Sequence, residues 1–471
     1  VPAEDLPVID EADVVIVGGG TAGFIAATAA ARTGAKTILV ERLGYLGGCT
    51  TAPYNTSLTL LFDSEGNQMI RGLAWEFLKR MEQEGQAFVI GTRNQLWPPY
   101  TRKIASDMVL EAGVELYFYT WASDVIMDGD VIKGVIVQSK AGRGVITAKT
   151  FVDCSADADI AAFAGAPFEM EAVDDLQEIS CDYIACGVDV KRVIAWAREN
   201  QDKLEIDKRQ FDIEHQEYGA QPMFTFTLKR DDTHVNEKGE YLHWGWMPTV
   251  KLCIYREAVR IQGNVNVNPL DPKALAYAEI QGLKGAMGHL QFLKDNFPGF
   301  EGAFIVAQSH LGVRESRRIL GEYYITLDDV KGQSRFDDVV ALNCRALDYH
   351  LKGTLFKIEF LKGNHDVPLR AMLPKGVENL IVAGRCISCD HLSHASIRGA
   401  ATCMATGQAA GTIAALAGRA NSYIRDLDMR LIQQALLEQD VVLSTDAARR
   451  PWEGESMLVR AALDTPTGAA A

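Results

Sequence analysis

The stretch Cys389-Asp390-His391-Leu392-Ser393-His394-Ala395-Ser396-Ile397-Arg398-Gly399 sets a thiol, a carboxylate, two imidazoles, two hydroxyls and a guanidinium within eleven positions. Three chemistries use such groups. His391 and His394, at i,i+3, would offer two ligands on a helix to a tetrahedral zinc ion, with Cys389 or Asp390 as a third. Serine, histidine and aspartate together are the parts of a nucleophilic triad. A histidine facing a cofactor would instead move a proton near neutrality, where its unperturbed pKa lies. Serines and an arginine surround a cation poorly, and no Gly-x-Ser-x-Gly turn is present to present a strained nucleophile. The expectation is therefore no metal, His391 or His394 as acid/base, and Arg398 as an electrostatic anchor.

Positioning such groups needs a frame, and residues 12–44 (ADVVIVGGGTAGFIAATAAARTGAKTILVERLG) describe one. Val14 to Val17 form a β-branched run suited to a buried parallel strand. Gly18, Gly20 and Gly23 follow at GxGxxG spacing, with Thr21 and Ala22 between them. The first glycine permits a tight turn, the second lets backbone approach a pyrophosphate, and the third lets helix pack on strand. Phe24 to Arg32 is Ala-rich and helical, so its N-terminal N–H groups can face phosphates. Gly34 ends that helix, and the strand 37–40 closes in Glu41, placed to accept hydrogen bonds from ribose hydroxyls.

After Glu41 and Arg42, the tandem Gly47-Gly48 resembles the extended fingerprint of glutathione-reductase-like FAD proteins, where a second glycine pair passes beneath the pyrophosphate near the flavin. That likeness sets Cys49 and Thr50 close to the flavin. Cys49 is then either a small residue in a crowded loop or a redox-active or flavin-linking thiol. Residues 113–166 alternate apolar and polar positions, with glycine-containing turns expected at 129, 134, 142 and 144, and describe a β-meander that returns to the main sheet at Thr150–Cys154. In the family resembled, the residue at Val125 offers its backbone to the adenine. The following strand there usually ends in Ala-Thr-Gly, where this chain has Cys154-Ser155-Ala156, which leaves Asp157 only as packing near the pyrophosphate.

From about 170 to 345 the pattern changes. The strand-like segment 222–230 and helix-like 271–297 suggest an α+β insertion, with an aromatic cluster at 241–250 that lines either a pocket or a sheet core. Gly282, Gly285 and Gly288 have no strand before them, so they read as close helix packing and not as a second nucleotide site. Arg314, Arg317 and Arg318 flank Glu315; arginine suits bidentate recognition of carboxylate or phosphate, and an ion-pair network with Glu315 is the alternative for two of the three. Asp348 and His350, at i,i+2, share a face if extended.

Near the C-terminal side, 378–384 is a buried strand. With the paired glycines, the GVRESRR segment (312–318), LIVAGRCIS (380–388) and the His391…Ser396-Ile397-Arg398…Ala401 pattern, the chain resembles the FAD-dependent oxidoreductase family of glutathione-reductase-2 type flavoproteins. These are distantly similar to succinate dehydrogenase and fumarate reductase flavoproteins, and the likeness runs from about residue 12 to 420. Cys386 and His391 match the family; Cys389 and Asp390 depart from it, and His394 stands where members vary. The resemblance implies that Gly384 brings backbone to the ribityl chain and flavin, with Arg385 in place of the aspartate that usually follows, and that Ile397 joins the cofactor contacts. Cys386 and Cys389 are expected as two unpaired thiols.

The resemblance implies an α/β fold: a three-layer, Rossmann-like FAD-binding domain with a central parallel sheet plus β-meander (10–168 and 366–420), an inserted α+β substrate domain (169–365), and a C-terminal helix and tail (421–471) whose last residues are expected to be disordered. It implies bound FAD and an FAD-dependent dehydrogenase or oxidase, passing hydride from a CH–OH, CH–NH or CH–CH group of a small polar substrate to flavin N5. Arg314 and His350 are the expected substrate anchors. The small-residue helix from Gly399 to Gly411 would aim its N-terminal N–H groups at the flavin's N1–C2=O edge. Reduction of an activated C=C bond, with arginine as proton donor or carboxylate clamp, is the alternative, as is an electron-transfer subunit with an electron-acceptor partner.

The totals agree with a soluble enzyme. Net charge is −15, from 62 acidic and 47 basic side chains, which argues against nucleic acid and anionic membrane as partners. Apolar residues make up 48%, yet no run of about 18 reaches membrane-spanning length. The first residues lack the basic start and apolar core of a signal peptide. Nine cysteines at irregular spacing suggest reduced thiols and a cytoplasmic location. A homo-oligomer is compatible with the family.

Overall fold

The computed structural model describes residues 5–448 except 57, 59–60, 64–65, 85–86, 91–92, 201–203, 206–222, 229–248, 256–257 and 351–356. The aromatic positions 241–248 and the tail after 448 lie outside the described residues.

Strand β1 (Val8–Val17) occupies the middle of the larger sheet because its last turnless run, Val14 to Val17, is apolar on both faces and buried. It leads into helix α1 (Gly23–Arg32), and β2 (Thr37–Val40) then pairs parallel to it, Val14 opposite Thr37. Helices α2 (Gly72–Gln83) and α3 (Pro98–Glu111) precede β3 (Glu115–Tyr117), which pairs parallel to β2. The meander is β4 (Trp121–Asp128), β5 (Val131–Ser139) and β6 (Gly142–Asp153). Strand β6 serves two roles: its first half, 142–147, pairs antiparallel to β5, and from Val145 to Asp153 it pairs parallel to β1. Turns fall around Gly129 and before Gly142, but Gly134 and Gly144 lie inside strands rather than in turns. A Cβ there would strike Val145 or Ile9 side chains, so these glycines allow close cross-strand packing.

A short helix, α4 (Asp159–Phe163), follows β6. The chain then builds a six-stranded antiparallel sheet from β7 (Ile179–Cys186), β8 (Leu204–Glu205), β9 (Met223–Leu228), β10 (Thr249–Tyr255), β11 (Ala258–Val265) and β12 (Phe304–Gln308). Helix α5 (Val190–Glu199) and the long α6 (Pro272–Asn296) belong to this part, and α6 buries Ala278, Gly282, Ala286, His289, Leu290 and Leu293. A Cβ on Gly282 would lie 3.2 Å from the Cys181 side chain, the close packing expected of it, whereas one on Gly288 would meet nothing within 4 Å and that residue is exposed, so close packing is not its role.

After α7 (Leu327–Gly332), strand β13 (Leu380–Val382) returns to the larger sheet, parallel to β6. It is followed by α8 (His391–Ile397), α9 (Ala400–Ala420) and α10 (Met429–Glu438). The result is a two-domain α/β protein: a seven-stranded mixed sheet in order β3-β2-β1-β6-β5-β4, with β13 beside β6, and a second region inserted in the sequence. Two apolar cores correspond to it, one around β1, β6 and α9 and one between α6 and its sheet. No helix among the described residues is long and apolar enough to cross a membrane.

Candidate functional site

The first glycine loop is shaped by what cannot fit beside it. Gly18 adopts φ +98°, and a Cβ there would collide with the Cys154 carbonyl oxygen; one on Gly23 would collide with that of Gly18. Gly20 is different, because its nearest neighbour would be the Gly48 Cα at 3.8 Å, so one face of its backbone is open. The second loop closes over the first: Gly48, at φ +54°, packs on Gly20 and Thr21, and the Gly47 N–H donates to the Gly19 carbonyl at 3.0 Å. Glu41 ends β2 and is 7% exposed. Its two carboxylate oxygens accept from the Gly19 and Leu43 N–H groups at 2.6 and 2.7 Å, and each keeps a lone pair for a further donor. Burial raises its pKa, against those N–H bonds.

Arg42 lies over the Trp121 ring, 5.1 Å from its centroid. Just before β4, the Thr120 N–H donates to the Glu41 carbonyl at 3.1 Å. Val125 lies five residues farther along, about 16 Å at the rise of a strand, with its N–H on the Asp124 side chain. Trp121 stands beside the Glu41–Arg42 end of the cradle.

Helix α9 reaches this cradle because glycines stand where it crosses α1. Gly407 and Gly411 pass so close to α1 that a Cβ on either would collide with the Ala22 or Ala26 carbonyl oxygen. Both α1 and α9 begin without a side-chain cap, so their first N–H groups are left for another acceptor. Gly384, following β13, touches Ala22 and donates its N–H to Thr406 at 3.2 Å. Cys49 is 3.1 Å from the Thr21 hydroxyl, and burial raises its pKa, so it is a protonated thiol. Thr50, in the second loop, and Ile397, in α8, are both buried. Arg385 binds the Ala156 carbonyl (2.9 Å), the Val313 carbonyl and Asp157 (2.5 Å). It ties the end of β6 to the 312–318 segment, a different use from that of an aspartate turned to a ribityl chain. Asp157, which the sequence assigned only to packing, also accepts from Ser316 at 2.5 Å. An open glycine face, a buried carboxylate with lone pairs to spare and two uncapped helix N-termini fit FAD, a dinucleotide with an extended anionic middle.

Next to this cradle, the polar groups gather around two carboxylates. Glu315 is the first. His391, at the start of α8, donates Nδ1–H to Glu315 Oε1 at 2.8 Å, and Arg318 binds the same oxygen at 2.5 Å. Burial would raise the Glu315 carboxyl, but the His391 bond and Arg318 outweigh it and hold it at about 2. Burial likewise opposes a charged His391, and the Glu315 bond wins, so its pKa is raised. Its Nε2 has no hydrogen-bond partner among the described residues, and the side chain is 20% exposed. His394 is fully buried. Its Nε2–H donates to the Arg385 carbonyl at 2.9 Å, and its Nδ1 faces the Gln177 amide at 3.5 Å. Burial lowers its pKa to about 3. The two histidines therefore divide: His391 is accessible and His394 is sealed and neutral, a correction to their equal candidacy.

Asp348 is the second centre. Arg345 binds it at 2.5 Å, Arg398 at 3.3 Å and His350 Nε2 at 3.1 Å. Burial would raise the Asp348 carboxyl, yet Arg345, Arg398 and His350 carry it well below the ordinary range. Burial, then Arg314, lowers His350 to about 3, so it is neutral. Of the three arginines in 314–318, only Arg318 pairs with Glu315; Arg317 pairs with Asp159, and Arg314 binds the Glu178 carbonyl and Asn264. Arg318 is wholly buried among Glu315, Glu169, Glu171 and the Cys389 carbonyl. Cys386 and Cys389 are free, buried thiols, Cys389 pushed up to about 12 by burial.

Glu315 and Arg345 are the residues that sequence reasoning did not place in the site. Glu315 was visible only as a neighbour of arginines, and its histidine partner lies 76 positions away. Arg345 stood beside Asp348, three positions earlier, a spacing that carries no signal unless the segment is known to fold back on itself.

The sequence matches the FAD dependent oxidoreductase family over residues 13–436. The thiamine thiazole synthase of Aeropyrum pernix is 33% identical over 141 residues, 30% of this chain and 49% of that protein. That of Methanococcus vannielii is 31% identical over 151 residues, 30% of this chain and 55% of that one. The chain thus spans about half the length of these curated relatives. Among solved structures, a geranylgeranyl bacteriochlorophyll reductase-like protein from Thermoplasma acidophilum has a TM-score of 0.44 at 12% identity, covering 93% of this chain and 95% of that one. The flavin-dependent brominase Bmp2 has a TM-score of 0.45 at 15% identity, covering 91% and 83%.

Proposed function

We propose, from the premise that this chain belongs to the FAD dependent oxidoreductase family, that it oxidises a small polar organic substrate with His391 as the group that accepts the substrate's proton. Bound FAD supplies the two-electron acceptor. Gly20, Gly48, Glu41 and the first turns of α1 and α9 would hold it. The chain's own part in the reaction is to bind, orient and move a proton. The His391 Nδ1–H bond to Glu315 fixes the ring and leaves the Nε2 lone pair outward, as a general base requires. Once Nε2 takes the proton of an alcohol or amine, the Glu315 carboxylate stabilises the imidazolium, and Arg318 keeps that carboxylate in place. His394 holds the Arg385 carbonyl and so stiffens the turn before α8.

The observation that carries this reading is the carboxylate-bound, outward-facing His391. We assign the chain to the glutathione-reductase-2 type on its paired glycines and its 312–318 and 380–388 segments, with 10–168 and 366–420 as the cofactor-binding part and 169–365 as the substrate part. The test is an absorption spectrum of the purified protein, then an anaerobic panel of alcohols, amines and saturated acids watched for bleaching of the flavin bands. His391→Ala should slow bleaching by roughly 10²-fold or more while FAD stays bound. No flavin spectrum after reconstitution, or no slowing in that variant, sinks the reading.

One observation favours the reverse chemistry, reduction of an activated C=C bond. Burial, with Arg345 and Arg314 nearby, lowers the Arg398 pKa to about 9, against the pull of Asp348, which suits a proton donor. Under that reading Arg398→Lys, and not His391→Ala, abolishes turnover with an unsaturated substrate.

A further inference from the structure

Helix α6 buries one face and leaves an apolar line on another. Ala278, Ala286 and Leu293 belong to the core of the inserted region. Away from that core, Tyr277, Ile280, Leu283 and Met287 are 50%, 55%, 44% and 53% exposed. Large apolar side chains exposed singly are ordinary on a surface, but these follow a line. With exposed Ala276, positions 276, 280, 283 and 287 recur at spacings of four, three and four, the seam along which one helix packs on another. Tyr277 lies beside that seam. A surface helix turns charged and polar residues to water, yet Lys273 and Lys284 are the only charged residues among the nine exposed positions from 273 to 291.

None of the nine is acidic, in a chain whose net charge is −15. An acid excess keeps copies of a chain apart, and along this stripe two copies would meet without opposing carboxylates. The spacing is self-complementary when the helices run antiparallel. A two-fold axis midway between 281 and 282 sets Ile280 against the partner's Leu283 and Ala276 against the partner's Met287. The same axis brings the Lys284 ammonium toward the partner's Tyr277 ring, a favourable cation–π arrangement. At roughly half exposure each of the four large side chains offers about 100 Å², so the stripe offers about 400 Å² of apolar surface before its flanks are counted. Helix α6 has 25 residues and is about 37 Å long at the α-helical rise. Pairing along that length buries roughly 600 Å² per copy, or about 1,200 Å² in all, the lower end of stable interfaces.

We propose that α6 is a self-association surface, through which two copies of this chain pair as antiparallel helices along positions 276, 280, 283 and 287. Such a dimer is isologous, the same patch serving both copies, so it closes on itself and does not propagate. An interface of this size supports a Kd of micromolar order or tighter.

The test is sedimentation velocity of the FAD-loaded protein from nanomolar to tens of micromolar concentration. Dimer throughout, or conversion of monomer to dimer within that range, is expected. Leu283→Glu sets a carboxylate against the partner's Ile280 and should weaken association by about a hundredfold or more. Leu437→Glu, at a position 53% exposed on α10, should leave it unchanged. The double variant Ala276→Cys with Met287→Cys should crosslink the copies under mild oxidation that leaves the wild type uncrosslinked. A wild type that stays monomeric overturns the proposal, whether a segment outside the described residues or a lipid surface then covers the stripe. So does a dimer that survives Leu283→Glu or parts with Leu437→Glu, since the interface would lie elsewhere. A dimer that persists without forming the crosslink overturns the antiparallel seam. Should Leu283→Glu fail to fold, the wild-type association and the crosslink still decide.

Discussion

Glu315 sets the protonation of His391, and this gives the reaction a pH dependence of definite sign. The ring must be neutral to accept a proton, and the Glu315 bond, outweighing burial, raises its pKa above the ordinary 6.5. Substrate-dependent flavin reduction should therefore be low on the acid side and rise with pH through that raised value. In Glu315→Gln the attraction disappears, so the acid limb should move to lower pH while the plateau falls, because the ring is no longer oriented. His394→Ala should leave the limb where it is, since His394, at about 3, is already neutral across that range. Stopped-flow pH profiles of the three proteins check this; an unmoved limb in Glu315→Gln refutes the pairing. At the nucleotide end, Glu41→Ala removes the acceptor for the Gly19 and Leu43 N–H groups. Each unpaired donor costs about 1–3 kcal/mol, so both FAD affinity and melting temperature should fall.

The elements that carry these residues are held by backbone contact more than by side chains. Helix α9 buries almost its whole length, and its approach to α1 depends on Gly407 and Gly411. Gly411→Val would force the two helices apart at the Ala26 carbonyl; overpacking of this kind costs about 1–3 kcal/mol. Calorimetry should show that loss, and fluorescence titration should show weaker FAD binding, because the first turns of both helices move with the axis. Gly288→Ala is the contrasting case. Nothing lies within 4 Å of the site of its Cβ, and it sits exposed inside α6. Ala gains up to about 1 kcal/mol over Gly in a helix interior, so the melting temperature should rise with FAD binding unchanged. The two glycines look alike in the sequence and differ only in what stands opposite them.

Across the whole molecule, the inserted region is joined to the larger sheet through the loop after β6. Asp157 accepts from Ser316 and Arg385, both at 2.5 Å, and Arg317 binds the Asp157 carbonyl at 2.7 Å and pairs with Asp159. Asp157→Asn keeps the shape but removes the charge. Hydrogen bonds to charged groups contribute about 1.5–3 kcal/mol each, so its thermal unfolding should broaden or split as the two cores part company. A single sharp transition, as cooperative as the wild type, would show that this junction is not what couples them. FAD should act oppositely, since it binds only the folded cradle: at about 100 times its Kd it adds about 2.7 kcal/mol, raising the first transition in particular.

Local spacing fixed the parts of this protein that are local. The GxGxxG loop, its strand and helix, Glu41 at the end of the next strand and the late strand before Gly384 were all legible, because each depends on a short run with one hydrophobic period and one turn. Meander glycines were harder to assign, since a glycine in a turn and a glycine under a neighbouring side chain have the same letter. The site chemistry was the least legible. CDHLSHASIRG supplied His391 and His394 as equals beside Arg398, and only folding separated the two rings, by setting Glu315 against one and the Arg385 carbonyl against the other. Sequence determined which ionisable groups the chain has and the cofactor frame they join. Tertiary structure decided their charges, because burial and the nearest opposite charge, often more than fifty positions away in the chain, set the free energy of every proton.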